Sequence, residues 1–266
     1  MRTTGGHVTF DQEIHPRIEF SNNPLKVVVA QIKFPAMFGL TEPAALAGFQ
    51  AALGRRYPTA LPRIPNVTVT IGPAGAAETM TDAGPVRLAS EDGMWLISIG
   101  HDAIALESQA YESWVGFRDR LAELVAAIPE ELRPHHVERL GLRFVDQIQA
   151  PGVATASDWR EYIVPSLIGE PDSLIFDDRV IQGLQQLSFR MDDSTINLRH
   201  GYVQNPAEAD FPATYVIDTD LFTETEQGFD WAAILERVNR YHDLAWTLFR
   251  RSITPAAVHL LGGTEE

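Results

Sequence analysis

Basic side chains occur in several segments that have the composition of β-strands. Successive side chains of a strand point to opposite faces of a sheet, so residues two apart share a face. Arg139 and Arg143 therefore share a face with each other, and Asp218 and Asp220 do the same in a later segment. The candidate ligand- or partner-binding residues on this polar face are Lys33, Arg139, Arg143, Arg190, Arg199, Asp218 and Asp220.

Two interpretations of this polar face stay open at the level of sequence. The first is cross-strand ion pairing on a solvated surface, where each pair contributes about 0.2–1 kcal/mol. The second is a concave site for an anion or a peptide, because guanidinium groups offer paired donors to carboxylate or phosphate. Asp218 and Asp220 could also serve acid–base chemistry or bind a divalent cation. The neighbouring arginines favour an ion-paired role for them.

The chain contains none of the short motifs that accompany common catalytic sites. No phosphate-binding loop, dinucleotide-binding glycine motif or nucleophile elbow is present. His135 and His136 are adjacent and would point to opposite sides of an extended chain, which makes a poor chelate. With no cysteine, thiolate metal sites and disulfides are excluded. We predict no catalytic residue, no metal site and no cofactor, and lean towards a non-enzymatic protein.

Charge and composition narrow the partner classes. The net charge of −15 disfavours nucleic-acid binding, which needs a basic surface, and suits a basic protein partner. Apolar residues make up 45% of the chain, as in ordinary globular proteins. No apolar run approaches the ~20 residues that cross a bilayer, and residues 1–20 lack the apolar core of a signal peptide. We therefore expect a cytoplasmic protein that does not bind membranes.

The first half of the chain predicts the element order β-α-β-β-β-β-α. Strands are expected at 26–34, 67–71, 86–90, 94–100 and 103–107. A helix capped by Thr41 should cover 42–57, and apolar residues at three- and four-residue spacing predict a second helix from Trp114 to Ile128. The Gly- and Ala-rich stretch at 72–85 is interpreted as a flexible link.

The second half predicts a similar order. A strand is expected at 137–148, a short helix at 158–167, a hairpin from 184–191 and 195–203, and a strand at 214–222. A long helix with Asp230 as its N-cap should close the chain near Ser252. The strings 31–34 and 141–144 match in position, and the 97–106 hairpin is aligned with the 187–198 hairpin, which places Leu187 on the face that packs against helices.

These patterns predict an α+β protein built as a tandem duplication of a β-α-β(3-4)-α unit. We expect an N-terminal arm at 1–22, a first β-α-β(4)-α unit at 23–133 and a second β-α-β(3)-α unit at 134–266. An antiparallel curved sheet with long helices on one face is typical of helix-grip and TATA-binding-protein-like folds. Such a fold does not by itself define a function.

Several segments resemble a sporadically distributed family of bacterial conserved hypothetical proteins of unknown function. They are 23–25, 139–144, 216–220 and the C-terminal helix with His242, Phe249 and the ending Ile253–Thr254. The family pattern has Leu before the first Asp of 216–220 and an aliphatic residue between the two; here these are Ile217 and Thr219. The resemblance implies a full-length single-family protein and no particular activity.

The functional hypotheses follow from the polar face and the charge. The leading one is a non-catalytic binding protein that holds an acidic small molecule or peptide on the Arg-bearing face or in a cleft between the repeats. The alternatives are an acidic interaction protein, of immunity or antitoxin type, that binds a basic partner, and a helix-grip enzyme with a pocket between sheet and long helix. Open sheet edges also make a homodimer a possible state.

Overall fold

The computed structural model describes residues 16–63, 66–72, 75–82, 84–153, 155–168, 180–204 and 213–263, with backbone alone at 66–72 and 75–82. The protein is α+β, with a large antiparallel sheet of nine strands and a few helices. The part of the predicted N-terminal arm at 1–15 lies outside the described residues.

In both halves, runs of consecutive strands are separated by helices. The strands are β1 (Leu25–Lys33), β2 (Thr59–Leu61), β3 (Asn66–Gly72), β4 (Gly75–Asp82), β5 (Val86–Ala89), β6 (Trp95–Ile99), β7 (Ala103–Ser108), β8 (His136–Val137), β9 (Arg139–Gln149), β10 (Gln182–Met191), β11 (Ser194–Gln204), β12 (Ala213–Thr223) and β13 (Gln227–Gly228). The helices are α1 (Pro43–Leu53), α2 (Trp114–Ala126), α3 (Pro165–Ile168), α4 (Trp231–Ser252) and α5 (Pro255–Leu260), with 3₁₀ turns at Phe38–Thr41, Glu130–Leu132 and Ser157–Glu161.

The large sheet has the strand order β10-β11-β12-β9-β1-β7-β6-β5-β2, and β3–β4 and β8–β13 form two separate two-stranded sheets. The chain divides into two compact units that are each discontinuous in sequence. Unit 1 comprises 1–26, 143–221 and 238–266, and unit 2 comprises 27–142 and 222–237. The repeat boundaries predicted near residue 133 are a different division and stay a prediction.

Unit 1 has its core on one face of β9, β11 and β12. Leu198, Tyr215 and Ile217 from the strands pack against Trp159 of the 3₁₀ turn and Phe249 of α4, all of them buried. Since these strand residues occupy alternate positions, the opposite side chains of the same strands point away from the core. The predicted assignment of faces is confirmed for this part of the chain.

Unit 2 buries the apolar face of β1, β6 and β7. Ile32, Ile97 and Leu106 are fully buried, as are Phe49 of α1 and Phe117 of α2. The α2 helix begins where the Ser113 side chain accepts a hydrogen bond from the backbone N–H of Gly116. These elements place the polar side chains of β1 and β7 on the face opposite the buried one.

Some element predictions were wrong. The stretch 75–82 is not a flexible link but strand β4, which pairs with β3; together with β2 this makes six strands after α1 and its loop, not four. Backbone pairing with β3 supplies hydrogen bonds that outweigh the low strand propensity of Gly and Ala. The helix at 158–167 is a 3₁₀ turn followed by the short α3, and α5 and the β8–β13 pair were not predicted.

Of the two predicted helix N-caps, one is wrong and one is confirmed. The N-cap of α1 is Glu42 rather than Thr41, which lies inside the preceding 3₁₀ turn and donates its hydroxyl to the carbonyl of Phe38. Asp230 does cap α4, accepting from the N–H of Ala233 at 3.0 Å.

The 187–198 hairpin is β10–β11, and β12 separates it from β9, whereas β6–β7 directly adjoins β1. The two hairpins that the sequence aligned therefore occupy different positions in the sheet.

Candidate functional site

A row of polar side chains crosses the four strands of unit 1 on the face away from its core. Asp218 lies on β12, with Arg199 of β11 on one side and Arg143 of β9 on the other. Gln186 of β10 is directly opposite Arg199 in the strand register. The row exists because each residue occupies an outward position of its own strand, and the strand order brings the four positions together.

Asp218 is the centre of this row. Its two carboxylate oxygens accept a paired set of hydrogen bonds from Arg143, with Nε to Oδ1 at 2.7 Å and Nη2 to Oδ2 at 2.8 Å. Arg199 donates from Nη1 to Oδ2 at 3.2 Å and from Nε to the Gln186 side-chain oxygen at 3.3 Å. The predicted ion-paired role of Asp218 is confirmed by these contacts.

The row is asymmetric in exposure and in charge. The Asp218 side chain is 9% exposed, while those of Arg143 and Arg199 are 42% and 44% exposed. Two guanidinium groups and one carboxylate leave a single net positive charge on the row. Arg199 uses its Nε and Nη1 in these contacts, so it can present its Nη2 to a ligand anion.

Arg190 lies apart from the row along β10, and Asp220 adjoins it on β12. Arg190 is opposite Thr195, four residues along β11 from Arg199, or about 13 Å at 3.3 Å per residue. Asp220 follows Asp218 by two residues on β12 and is half-buried. Its carboxylate lies on the same face of β12 as that of Asp218.

Lys33 and Arg139 belong to unit 2, where they occupy different settings. Lys33 pairs with Asp102 at 3.4 Å, and both border a surface depression with a volume of about 490 Å³. Ser98 of β6 and Ala105 of β7 are paired across the two strands and line this depression, and their small side chains leave space for it. The depression is also lined by Gln31, Gly100 and His101.

Arg139 is held by neighbours on β9, β1 and β12. Its Nη1 donates to the Gln31 side-chain oxygen at 3.0 Å, and the guanidinium lies 4.4 Å from the centre of the Phe222 ring. Gly141 leaves room for it, because a Cβ there would lie 2.7 Å from Nη1. A side chain at position 141 would therefore require the Arg139 guanidinium to move.

A buried carboxyl that the sequence analysis missed lies on the core face of β9. Asp146 is 7% exposed, and burial raises its pKa to about 7, although the positive charge of Lys26 acts in the opposite direction. The alternation of Leu140, Leu142 and Phe144 places position 146 on the same buried face. This alternation of apolar residues was the signal in the sequence from which the burial of Asp146 could have been predicted.

A second buried polar group joins β11 and β12 on the core face of unit 1. His200 Nδ1 lies 2.9 Å from the hydroxyl of Tyr215, and burial lowers the pKa of His200 and raises that of Tyr215. The Trp159 ring centre lies 5.3 Å from that of Tyr215. Within the described part of the chain, neither His200 Nε2 nor Trp159 Nε1 has a hydrogen-bond partner.

His242 of α4 also has a shifted pKa. Burial and the nearby charge of Arg17 lower its pKa to about 4, against the opposing effect of Asp243. Arg17 Nη2 lies 3.1 Å from His242 Nδ1 and donates to Asp243 at 2.5 Å. Phe20 contacts Trp246 and Phe249, so the stretch at 16–20 packs along α4.

Over the described ranges, no three His, Asp or Glu side chains come close enough to hold a metal ion together. Helices in that same part of the chain are too short or too polar to cross a bilayer. In comparisons with protein-family models, curated proteins and solved structures, none matches the chain. The family resemblance seen in the sequence therefore stays a prediction.

Proposed function

We propose that the protein is a non-catalytic binding protein that holds an acidic small molecule or an acidic peptide segment on the outward face of the unit 1 sheet. The observation that supports this is the row Gln186–Arg199–Asp218–Arg143, which keeps one net positive charge on a rigid sheet in a chain of net charge −15. A ligand carboxylate or phosphate would bind the outer edge of Arg199. The Gln186 side chain orients that guanidinium.

The strength of such a contact follows from its exposure. A charge-assisted hydrogen bond contributes about 1.5–3 kcal/mol, and partial exposure of Arg199 lowers the value towards the bottom of that range. A single site of this kind gives weak binding, so a useful ligand would need several acidic groups or further contacts along the face. The expected ligands are therefore polyanionic small molecules or short acidic peptides.

The test compares Arg199→Gln with Arg55→Gln, a matched loss of one positive charge at an exposed loop position. Isothermal titration calorimetry measures the affinity of each variant for three probes: citrate, inorganic phosphate and an acetylated tetraglutamate peptide. We expect Arg199→Gln to weaken binding by about tenfold or more, the equivalent of 1.4 kcal/mol. Its melting temperature should stay close to that of the wild type, because the Arg199 contacts are long and half-exposed.

Equal affinities in the two variants, or no binding of any probe by the wild type, would overturn the proposal. A second hypothesis is retained for the chain as a whole, in which the acidic surface binds a basic protein. Native mass spectrometry of the protein from its own host distinguishes the two. A small acidic ligand that survives desalting supports the row, and a basic protein released by added salt supports the second hypothesis.

The repeat and the fold family are part of the same proposal. We infer that the two halves arose by duplication of a β-α-β(3-4)-α unit of the helix-grip type. Support comes from the strand orders, in which a central strand is followed outward by hairpin strands in each unit: β9-β12-β11-β10 in unit 1 and β1-β7-β6-β5-β2 in unit 2. An enzyme of that type is favoured by one observation, the buried Asp146 carboxyl with its pKa near neutrality.

A further inference from the structure

Strand β10 forms one end of the nine-stranded sheet and has an unusual surface for an edge. It is ten residues long, contains neither proline nor an acidic residue, and pairs with β11 without a bulge. Ile181, Leu184 and Leu187 are 70%, 56% and 47% exposed. Monomeric proteins usually block such edges with charges, prolines or bulges. The strand at the other end, β2, is only three residues long.

The hydrogen-bonding pattern shows which backbone groups of β10 face outward. The N–H of Gln204 donates to the carbonyl of Ile181, and the two-residue turn after Met191 makes Met191 and Ser194 a hydrogen-bonded pair. Alternate residues of an antiparallel pair bond to the partner strand, so the odd-numbered residues bond to β11. The N–H and C=O groups of the even-numbered residues point away from it. These residues are Gln182, Leu184, Gln186, Ser188 and Arg190.

We propose that β10 pairs with β10 of a second copy of this chain, in antiparallel fashion, about a two-fold axis at Gln186. In that register Gln182 lies opposite Arg190 of the other copy, Leu184 opposite Ser188, and Gln186 opposite itself. All five outward-facing residues then form hydrogen-bonded pairs. Leu187 and its symmetry mate lie diagonally across the axis on the same face, within reach of each other.

A second copy fits this edge better than an unrelated acidic strand. Self-pairing places Arg190 opposite an amide and brings no two like charges face to face. An acidic segment would find one cation, Arg190, along ten residues. The two occupants also differ in salt dependence. Two copies that each carry −15 repel at long range, so added salt should strengthen self-association, whereas it would weaken binding of an acidic strand to Arg190.

The expected affinity is modest. Pairing of one ten-residue edge buries less surface than the about 1,200 Å² of ordinary stable interfaces. A dissociation constant in the micromolar range or weaker is therefore expected. Sedimentation velocity over a concentration series should show the mass rising from 29.5 kDa towards twice that value, with a larger dimer fraction at higher salt.

Two variants and one exchange measurement test the interface. Leu187→Lys places two ammonium groups near the axis and should shift the dimer to monomer, while the charge-matched Val115→Lys, at an exposed position of α2, should not. Gln186→Pro removes an outward N–H at the axis and keeps the backbone hydrogen bonds to β11, although it also removes the side-chain contact with Arg199; it too should shift the dimer to monomer. In wild-type protein, NMR hydrogen exchange should show the even-numbered β10 amides becoming protected as concentration rises, with the odd-numbered amides protected throughout.

A wild-type monomer at every concentration and salt would overturn the proposal. A dimer that persists in both edge variants, or one whose even-numbered amides stay unprotected, would do the same. A monomer that gains protection at these amides only with an acidic peptide would assign the edge to a foreign strand instead.

Discussion

Replacing Asp146 with asparagine is expected to stabilise the protein above neutral pH by up to about 4 kcal/mol. In the folded state, burial raises the pKa of this carboxyl to about 7 from a usual value of 3.8. Each unit of difference corresponds to 1.36 kcal/mol, and the folded state binds the extra proton between these two pH values. Stability from this group therefore falls as pH rises from about 4 to 7. Asparagine removes the charged form and with it that loss.

His242 acts in the opposite direction over much of the same range. Its pKa is lowered to about 4 in the folded state from 6.5, so the unfolded state binds the extra proton between these values. Its contribution to stability is complete above pH 6.5 and is lost as pH falls towards 4. In the wild type the two slopes nearly cancel over this window. The Asp146→Asn variant should reveal the histidine alone, as a stability that rises with pH.

Urea unfolding across a pH series measures both effects. Asp119→Asn, which removes a mostly exposed carboxylate from α2, is the matched control and should follow the wild-type curve. The buried-carboxyl argument would be wrong if Asp146→Asn were less stable than the wild type at alkaline pH. It would also be wrong if the free energy of unfolding of the variant had the same pH dependence as that of the wild type between pH 4 and 6.5.

The positions of individual side chains within strands were predictable, because strand alternation is a local property. Arg143, Arg199 and Asp218 were placed together on the polar face from period-two patterning alone, and the structure has them there. The same rule places Asp146 on the buried face, between Phe144 and Ile148. The burial of that carboxyl was therefore predictable from the sequence.

Which strands are neighbours could not be predicted in the same way. Asp218 meets Arg199 and Arg143 because β12 lies between β11 and β9, and this order depends on contacts distant in sequence. Periodicity also cannot say how far a strand extends beyond the helices that cover it. Leu187 has the alternation of a buried residue but lies on the edge strand β10, where it is 47% exposed. Pairing of β4 with β3 is long-range information of the same kind.

Replacing Asp218 with asparagine should destabilise the protein by about 2 kcal/mol. The change keeps the shape of the side chain but leaves two guanidinium groups on the neighbouring strands without their shared counter-charge. Removing one partner of a fully buried ion pair costs about 3–5 kcal/mol, and exposed pairs contribute about 0–1 kcal/mol. Asp218 is 9% exposed and its partners just over 40%, which places this case between the two. Asp119→Asn should change stability by less than about 0.5 kcal/mol.

The same variant connects stability with binding. Without the carboxylate, the row carries two positive charges, so inorganic phosphate should bind there and restore part of the lost stability. The melting temperature of Asp218→Asn should rise with phosphate more than that of the wild type, and the added change Arg199→Gln should reduce this response. A melting temperature that ignores phosphate in both would mean that the arginines are positioned for Asp218 alone. In that case the polar face would be an ion-paired surface and not a site for acidic ligands.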